Sequence, residues 1–222
     1  MSDISVIARH AVTVLAGQLA VMAFGVTDTI VAGRFSADAL AALSVASAVF
    51  VSVYVSLMGV LQALLPVWAE QHGRGETAAI GQSFRQSLYL AAAASVLGMG
   101  VLLFPEPLLR LTEVPDAMRE SVRDYLIIVG WALPSALFFR LYTTLNQALG
   151  RPQLVTWIQV GALVLKVPLS IWFTFGGWGI APQGAAGCGW GTLLVDYALA
   201  IAAVVVMRTQ GVYRPPRLVA PL

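Results

Sequence analysis

Long apolar stretches alternate with short polar connections along the whole chain. Each stretch has about 20 residues or more, which is the length an α-helix needs to cross the hydrocarbon core of a bilayer. The connections carry residues that end helices, in GRFSAD, AEQHGRGE, LGRPQ and the Gly/Pro-rich GGWGIAPQG. The pattern predicts an all-α, polytopic membrane protein with six transmembrane helices, approximately at Ala11–Ala32, Leu40–Val67, Ile80–Phe104, Tyr125–Gln147, Leu154–Phe175 and Ala185–Met207.

The connection between the third and fourth spans differs from the others. Its sequence, PEPLLRLTEVPDAMRESVRD, mixes charged residues with leucines and is too polar to cross a bilayer. Such a mixture is typical of a helix that lies at the membrane surface. We therefore expect a short interfacial helix here, followed by the start of the fourth span.

Basic residues are distributed unequally between the two sides of the predicted bundle. Cytoplasmic connections of membrane proteins carry an excess of Lys and Arg. The side that contains the N-terminus holds Arg9, Arg74, Arg85, Arg151, Arg208, Arg214 and Arg217, and the other side holds Arg34, Arg110, Arg119 and Arg123. This bias predicts that both termini are cytoplasmic, as an even number of spans requires.

Composition supports a membrane protein and argues against several other classes. Of the 222 residues, 59% are hydrophobic and 11% are charged, and the formal net charge is only +2, so we expect no nucleic-acid partner. With one cysteine and two histidines, the sequence predicts no metal site and no catalytic triad. No phosphate-binding GxxxxGK[ST] loop is present, so we expect neither ATP hydrolysis nor any other enzyme activity, and no cofactor.

Asp28 is a charged residue inside the otherwise uncharged first span. At 100° per residue it shares one helix face with Gln18, Gly25 and Thr29, which predicts a polar stripe that faces other helices or water. One interpretation of Asp28 is an interfacial carboxylate that caps a neighbouring helix. The other interpretation is a carboxylate that gains and loses a proton or cation during transport, because acids inside membranes mark ion pathways.

Two further charges lie in the middle of predicted spans. Lys166 is the only lysine in the chain, and Gln159 and Ser170 share its helix face. Asp196 shares a face of the sixth span with Thr192. By helix rise, Lys166 and Asp196 lie about ten residues from the outer ends of adjacent spans, so they share a level in the bilayer. This predicts either a neutralising ion pair or a pair that handles substrate or protons.

Two further points concern the charges inside the predicted spans. Asp28 is a second possible partner for Lys166, although helix rise places it about 9 Å nearer the outer face. Arg140 lies within about two turns of the cytoplasmic end of the fourth span, where its long side chain could reach the interface.

Three stretches resemble the multidrug and toxin extrusion (MATE) family, most closely its NorM-like branch. GVTDTIVAGRFSADALAALSVA is similar to the signature of the family's first helix, and GVLQALLPVWAEQHGRGE is similar to the end of its second helix. KVPLSIWFTFGGWGIAPQGAAGCGWGT resembles the region of its fifth and sixth helices. Together these stretches occur in the family's order and with its number of spans.

The resemblance implies a transporter of twelve spans in two six-helix lobes. Residues 1–222 would be the N-terminal lobe, with 208–222 as a cytoplasmic tail toward a missing second lobe. Such proteins exchange organic, often cationic, drugs for H⁺ or Na⁺ across the bacterial inner membrane. By this resemblance Asp28 is the acid that couples ion and drug movement, and Tyr125 and Thr192 match polar positions around the same cavity.

The chain departs from the family pattern on the fifth helix. Where members often carry Asn and then Asn or Asp four residues later, this chain has Lys166 and Ser170. A fixed ammonium disfavours Na⁺ nearby and keeps a neighbouring carboxylate ionised, so the sequence favours proton coupling or coupling in the other lobe. Asp196 has no family counterpart, and its presence beside an unusual lysine suggests internal charge compensation.

Other interpretations of the whole chain remain. One is a flippase for lipid-linked molecules or polysaccharides within the same superfamily, and another is a non-transporting scaffold or truncated remnant. Because one lobe has nothing to rock against, we expect the 222-residue chain to fold but not to move drug alone. The exception would be a homodimer, in which a second copy replaces the second lobe.

Overall fold

The computed structural model describes residues 3–111, 114–177 and 179–209, so most of the predicted tail at 208–222 lies outside the described residues. The described part of the chain forms eight α-helices. They are α1 (Asp3–Phe35), α2 (Ala37–Gln62), α3 (Leu64–Gly73), α4 (Thr77–Leu103), α5 (Glu106–Leu111), α6 (Asp116–Ala148), α7 (Pro152–Phe175) and α8 (Ala185–Thr209).

Six segments of the described chain are long and apolar enough to cross a membrane, which confirms the predicted fold class. The second segment, Ala37–Gly73, consists of α2 and α3 with a break at Ala63. Pro66 explains the break, because its ring has no N–H to donate and clashes with the carbonyl of residue 62. The polar connection after α4 contains the short helix α5, as its sequence predicts.

The fourth long helix, α6, begins nine residues earlier than the predicted span. The additional residues form polar turns that begin at Asp116, directly after Pro115, and precede the apolar span that the sequence predicts. Two ion pairs hold this end of the helix: Arg119 contacts Asp116 at 3.0 Å, and Arg123 contacts Glu106 of α5 at 3.3 Å. A helix end with these charges lies more favourably outside the apolar layer than within it.

Helix α6 forms the centre of the bundle. It packs against α8, α2, α4 and α3, and nearly three-quarters of its most apolar stretch is buried inside the structure. The other long helices instead expose large apolar side chains on their outer faces, for example Trp157, Val164 and Leu97. Such surfaces suit the hydrocarbon of a bilayer, whereas most of the central helix faces protein and the spaces between helices, with Trp131 as an exposed exception.

Glycines in the sequence GCGWG bring α8 close to its neighbours. A Cβ atom on Gly187 would lie 2.5 Å from the backbone of Phe173 in α7, and one on Gly191 would lie 3.2 Å from the backbone of Ser170. Gly189, between them, faces Tyr125 of α6. Small residues at helix contacts allow this close approach in membrane proteins. The approach sets the distance from α7 to the side chains that α8 contributes to the interior.

We expect Gly187→Ala to destabilise the helix bundle by about 1–3 kcal/mol, the usual cost of inserting a methyl group into a packed contact. The new Cβ would overlap backbone atoms, which cannot rotate away as a side chain can. The measurement is the thermal unfolding midpoint of the purified chain in detergent. Gly161→Ala in α7 is the matched control, because its Cβ would meet nothing within 4 Å. Equal midpoints for the two variants would contradict this interpretation of the contact.

Candidate functional site

A cavity of about 720 Å³ lies between α1, α2, α6, α7 and α8. Its volume falls in the range of sites that hold drug-sized organic molecules. The wall is mainly apolar and contains five aromatic side chains: Phe24, Phe50, Tyr54, Tyr125 and Phe139. A small number of polar and charged groups interrupts this apolar surface, which is the usual composition of a small-molecule site.

Most of the residues singled out from the sequence meet at this cavity. The whole polar stripe predicted for the first span lies on its wall, including Gly25 and Thr29. Ser170 stands behind the wall, where it is fully buried. The predicted site residues that line the cavity are Gln18, Asp28, Tyr125, Gln159, Lys166, Thr192 and Asp196.

An ion pair between Asp28 and Lys166 occupies one part of this wall. Lys166 Nζ lies 2.8 Å from Asp28 Oδ2, and the side chains of the lysine and the acid are 1% and 10% exposed. Ser170 Oγ donates a hydrogen bond to the other carboxylate oxygen, Oδ1, at 2.9 Å. Both oxygens of the acid are therefore bound by donors from α7. Asp28 thus contacts side chains in the middle of that helix and does not cap a helix end.

Helix α8 supplies the remaining partners of the ammonium group. Lys166 Nζ donates to Thr192 Oγ1 at 2.5 Å and to the backbone carbonyl of Cys188 at 3.5 Å. An ammonium group has three donors, and all three have acceptors here. Every donor of this buried ammonium therefore has a partner, whereas an unpaired buried charge is costly.

The direct ion pair predicted between Lys166 and Asp196 is wrong. Helix α1 packs along α7, which brings Asp28 to the lysine, while Asp196 lies one helical turn beyond Thr192 along α8. Asp196 lines the same cavity and forms no ion pair or side-chain hydrogen bond with the described residues. Equal depth in the bilayer did not identify the partner, because depth does not say which helices are neighbours.

Arg140 also belongs to the cavity, although the sequence suggested a side chain that reaches the interface. It projects from α6, whose neighbours leave it little access to lipid. Its Nε atom is buried and has no hydrogen-bond partner among the described residues. Helical periodicity in the sequence does indicate an inward-facing position for Arg140. The polar residues Thr143 and Gln147, three and seven residues further on, share its helix face and also line the cavity.

Comparison with known proteins places this geometry in a family. The family model MatE matches residues 14–172. The chain is 36% identical to the "Probable multidrug resistance protein NorM" of Aromatoleum aromaticum, over 96% of this chain and 46% of that protein. It is 29% identical to the "Multidrug resistance protein PmpM" of Pseudomonas aeruginosa, over 94% of this chain and 44% of that protein.

A solved structure gives the same result at the level of the fold. The MATE transporter NorM-NG, whose structure was solved in a complex that includes a monobody, superposes with a TM-score of 0.71 and 26% sequence identity. The alignment covers 94% of this chain and 46% of that one. This chain therefore spans about half the length of the relatives that it matches. Since the family model covers well over half of the sequence, the chain belongs to the MatE family.

Proposed function

We propose that this six-helix unit is the N-terminal lobe of a multidrug efflux antiporter of the bacterial inner membrane, with both termini in the cytoplasm. It binds organic, often cationic, molecules in its cavity, and it exchanges them for protons. The observation that carries the proposal is the buried pair of Asp28 and Lys166 on the wall of a drug-sized cavity. Relatives named as multidrug resistance proteins support the same activity.

The contacts of Asp28 favour a proton over Na⁺ as the coupling ion. The ammonium of Lys166 occupies the position beside the carboxylate that a bound cation would need. A proton has no such conflict, since it binds directly to a carboxylate oxygen.

Protonation of Asp28 would change the whole wall of the cavity. A neutral acid no longer balances the charge of Lys166, and an unpaired ammonium in a dry site is costly. The lysine then has to find another acceptor or water, which alters both the shape and the charge of the site. A site that changes in this way binds a cationic drug differently before and after the proton arrives, and this difference in affinity is what couples the two movements.

The charges of the cavity favour drugs over lipid-linked polysaccharides as substrates. A flippase for such anionic molecules would need a strongly basic cavity. Here Asp28 neutralises the charge of Lys166, which leaves Arg140 as the remaining basic side chain among the described cavity residues. The aromatic residues of the wall offer flat apolar contacts and faces that attract organic cations.

Transport requires a second unit that faces this cavity. In transporters built from two related lobes, alternating access arises as one lobe rocks against the other around the bound substrate. The second unit would be another six-helix lobe or, as the alternative, a second copy of this chain. Two copies with cytoplasmic termini could pair about an axis along the membrane normal.

The experiment is ethidium accumulation in an efflux-deficient bacterial host. The 222-residue chain alone should leave accumulation at the empty-vector level. A fusion of this chain to the remaining half of the Aromatoleum aromaticum relative should lower accumulation several-fold. Efflux by the chain alone would instead establish a functional homodimer, whereas a well-expressed fusion without any efflux would contradict the proposed function.

A further inference from the structure

Asp196 is a carboxylate on the cavity wall that the buried ion pair does not use. Asp28 and Asp196 are the two acids among the described residues that line the cavity. Asp28 is paired with Lys166, whereas Asp196 has neither an ion pair nor a side-chain hydrogen bond with the described residues. An acid inside a membrane span is costly, and one that faces a cavity usually has a functional role.

The antiparallel packing of α7 and α8 places the backbone of Lys166 close to the level of Asp196. Gly191 of α8 lies against the backbone of Ser170 in α7, which fixes the register of the two helices. Continuing this register along α7 by one turn places residue 166 level with about residue 195 of α8. The lysine therefore starts between Thr192 and Asp196, and in this structure its side chain extends toward Thr192.

The distance from the present partner of the lysine to Asp196 is short. Lys166 Nζ donates a hydrogen bond to Thr192 Oγ1 at 2.5 Å. Asp196 follows Thr192 by four residues and shares its helix face, with a rise between them of about 6 Å. Because a lysine ammonium is carried on a flexible four-carbon stem, side-chain rotation covers such a distance. All three side chains line the same cavity, which provides space for the movement.

The groups around Asp196 favour the approach of an ammonium when Asp28 is neutral. Lys166 of α7 attracts the carboxylate of Asp196, and Asp28 of α1 repels it. Tyr54 of α2 and Tyr125 of α6 also lie near enough to interact with Asp196, and a tyrosine hydroxyl is uncharged at neutral pH. Neutralising Asp28 removes the repulsion and releases the lysine, so both changes strengthen the attraction between Lys166 and Asp196.

Arg140 is the other basic side chain among the described cavity residues, but it lies further along the bundle. Helices α6 and α8 run in the same direction, and Tyr197 Oη donates a hydrogen bond to the backbone carbonyl of Trp131 at 3.2 Å. Asp196 is therefore level with about residues 130–135 of α6. Arg140 follows roughly five to ten residues later, or about 8–15 Å by helix rise.

We propose that Asp196 is the second acceptor of Lys166, to which the ammonium group moves when Asp28 takes up a proton. The proton forms an O–H bond on the carboxylate of Asp28, and Lys166 keeps its own three protons and changes only its counter-ion. This rests on the proposed proton coupling at Asp28 and identifies the acceptor that the released lysine finds. Asp196 is half-buried, so the second pair is less protected from water than the first.

The exchange of partners links proton uptake to drug release. While Asp28 is ionised, Asp196 faces the cavity without a counter-ion. After Asp28 is protonated, Lys166 covers the carboxylate of Asp196. A cationic drug therefore meets an acid before the proton arrives and a neutral ion pair afterwards, which provides the difference in affinity that antiport requires. In this role Asp196 is a positioning residue, because it acts through Lys166.

Lys166 is the only lysine in the chain, so it can be observed alone. Incorporation of carbon-13 lysine gives the purified chain in detergent one set of lysine signals, and the ε-methylene shift reports the surroundings of the ammonium group. Asp28→Asn imitates the protonated acid. We expect Asp196→Asn to leave the lysine signal nearly unchanged in the wild-type background. In the Asp28→Asn background the same substitution should move the signal clearly, since Asp196 is then the counter-ion.

Thermal unfolding midpoints of the same proteins give an independent measurement. Asp196→Asn should lower the midpoint by several degrees in the Asp28→Asn background and should not lower it in the wild type. When Lys166→Met is also present, this effect should disappear, because no ammonium group is left to pair. Asp196→Glu keeps the carboxylate and should retain the stability. Asp38→Asn, at an exposed acid of α2, is the control and should change neither the lysine signal nor the midpoint in either background.

The outcomes separate this inference from the proposed function. A lysine signal that Asp196→Asn leaves unchanged in the Asp28→Asn background would overturn the exchange. An equal change in both backgrounds would also overturn it, because Asp196 would then contact the lysine before Asp28 is neutralised. So would an Asp28→Asn chain that folds only when Lys166→Met is added. None of these results touches the wider function, which ethidium efflux by the fused transporter decides.

Discussion

Efflux should fall to the empty-vector level when Asp28 is replaced by Asn in a transporter that contains this lobe. The amide has the same size as the carboxylate, but it cannot bind and release a proton. It also cannot balance the charge of Lys166, to which Asp28 is joined at 2.8 Å. Ethidium accumulation by the fused transporter measures the effect. We expect the several-fold reduction in accumulation that the unaltered fusion produces to be lost completely.

Loss of efflux has to be distinguished from loss of the protein. Removing one member of a buried ion pair leaves the other uncompensated, so Asp28→Asn alone should reduce the amount of folded transporter. The double variant Asp28→Asn/Lys166→Met removes both charges and should restore the amount in the membrane without restoring efflux. Asp38→Asn, at an exposed acid in the first turn of α2, is the matched control and should leave efflux unchanged. Wild-type resistance in Asp28→Asn cells would exclude the coupling role.

The second large effect concerns the stability of the same pair. We expect Asp28→Asn and Lys166→Met each to lower the free energy of unfolding by about 3–5 kcal/mol, as is usual when a buried pair loses one partner. The double variant should recover much of this loss, because no buried charge is then left alone. Thermal unfolding of the wild type, the two single variants and the double variant in detergent forms a double-mutant cycle. The cycle gives the coupling free energy between the two residues.

Two control cycles define the specificity of this coupling. The exposed pair of Glu70 and Arg74 lies at a similar distance, 2.6 Å, but both side chains are 63% exposed, so its coupling should be about 0–1 kcal/mol. A cycle between Lys166 and Asp196 should give much weaker coupling than the cycle with Asp28. Strong coupling to Asp196 and additive effects with Asp28 would contradict the pairing in the structure.

The sequence alone was sufficient for the architecture. Six charge-poor stretches of helical length require six spanning helices, because a bilayer offers no water to an unpaired backbone group. The same argument marked Asp28, Lys166 and Asp196, since charges are costly in such stretches wherever they lie. The polar stripe around Asp28 also followed from helical periodicity, and Gln18, Gly25 and Thr29 do face the cavity with it.

The partner of Lys166 could not be read from the sequence. Helix rise gives the depth of a residue in the bundle, but two residues at one depth can lie on opposite sides of it. By depth alone, Asp196 was the better candidate and Asp28 was about 9 Å too near the outer face. The structure joins Lys166 to Asp28, because α1 packs along α7 and the long lysine side chain covers the remaining difference.

The environment of Arg140 was likewise decided by tertiary packing. Its position near a span end suggested a side chain that reaches the interface, and this holds only for a helix with a face toward lipid. Helix α6 has other helices around it, so its arginine faces the cavity instead. The sequence by itself determined which residues are buried in the membrane and at what depth, because hydrophobic length and helical periodicity are local properties. Only the packing of the helices decided which charges meet and which face the cavity, because lateral neighbours are chosen by contacts between segments far apart in the chain.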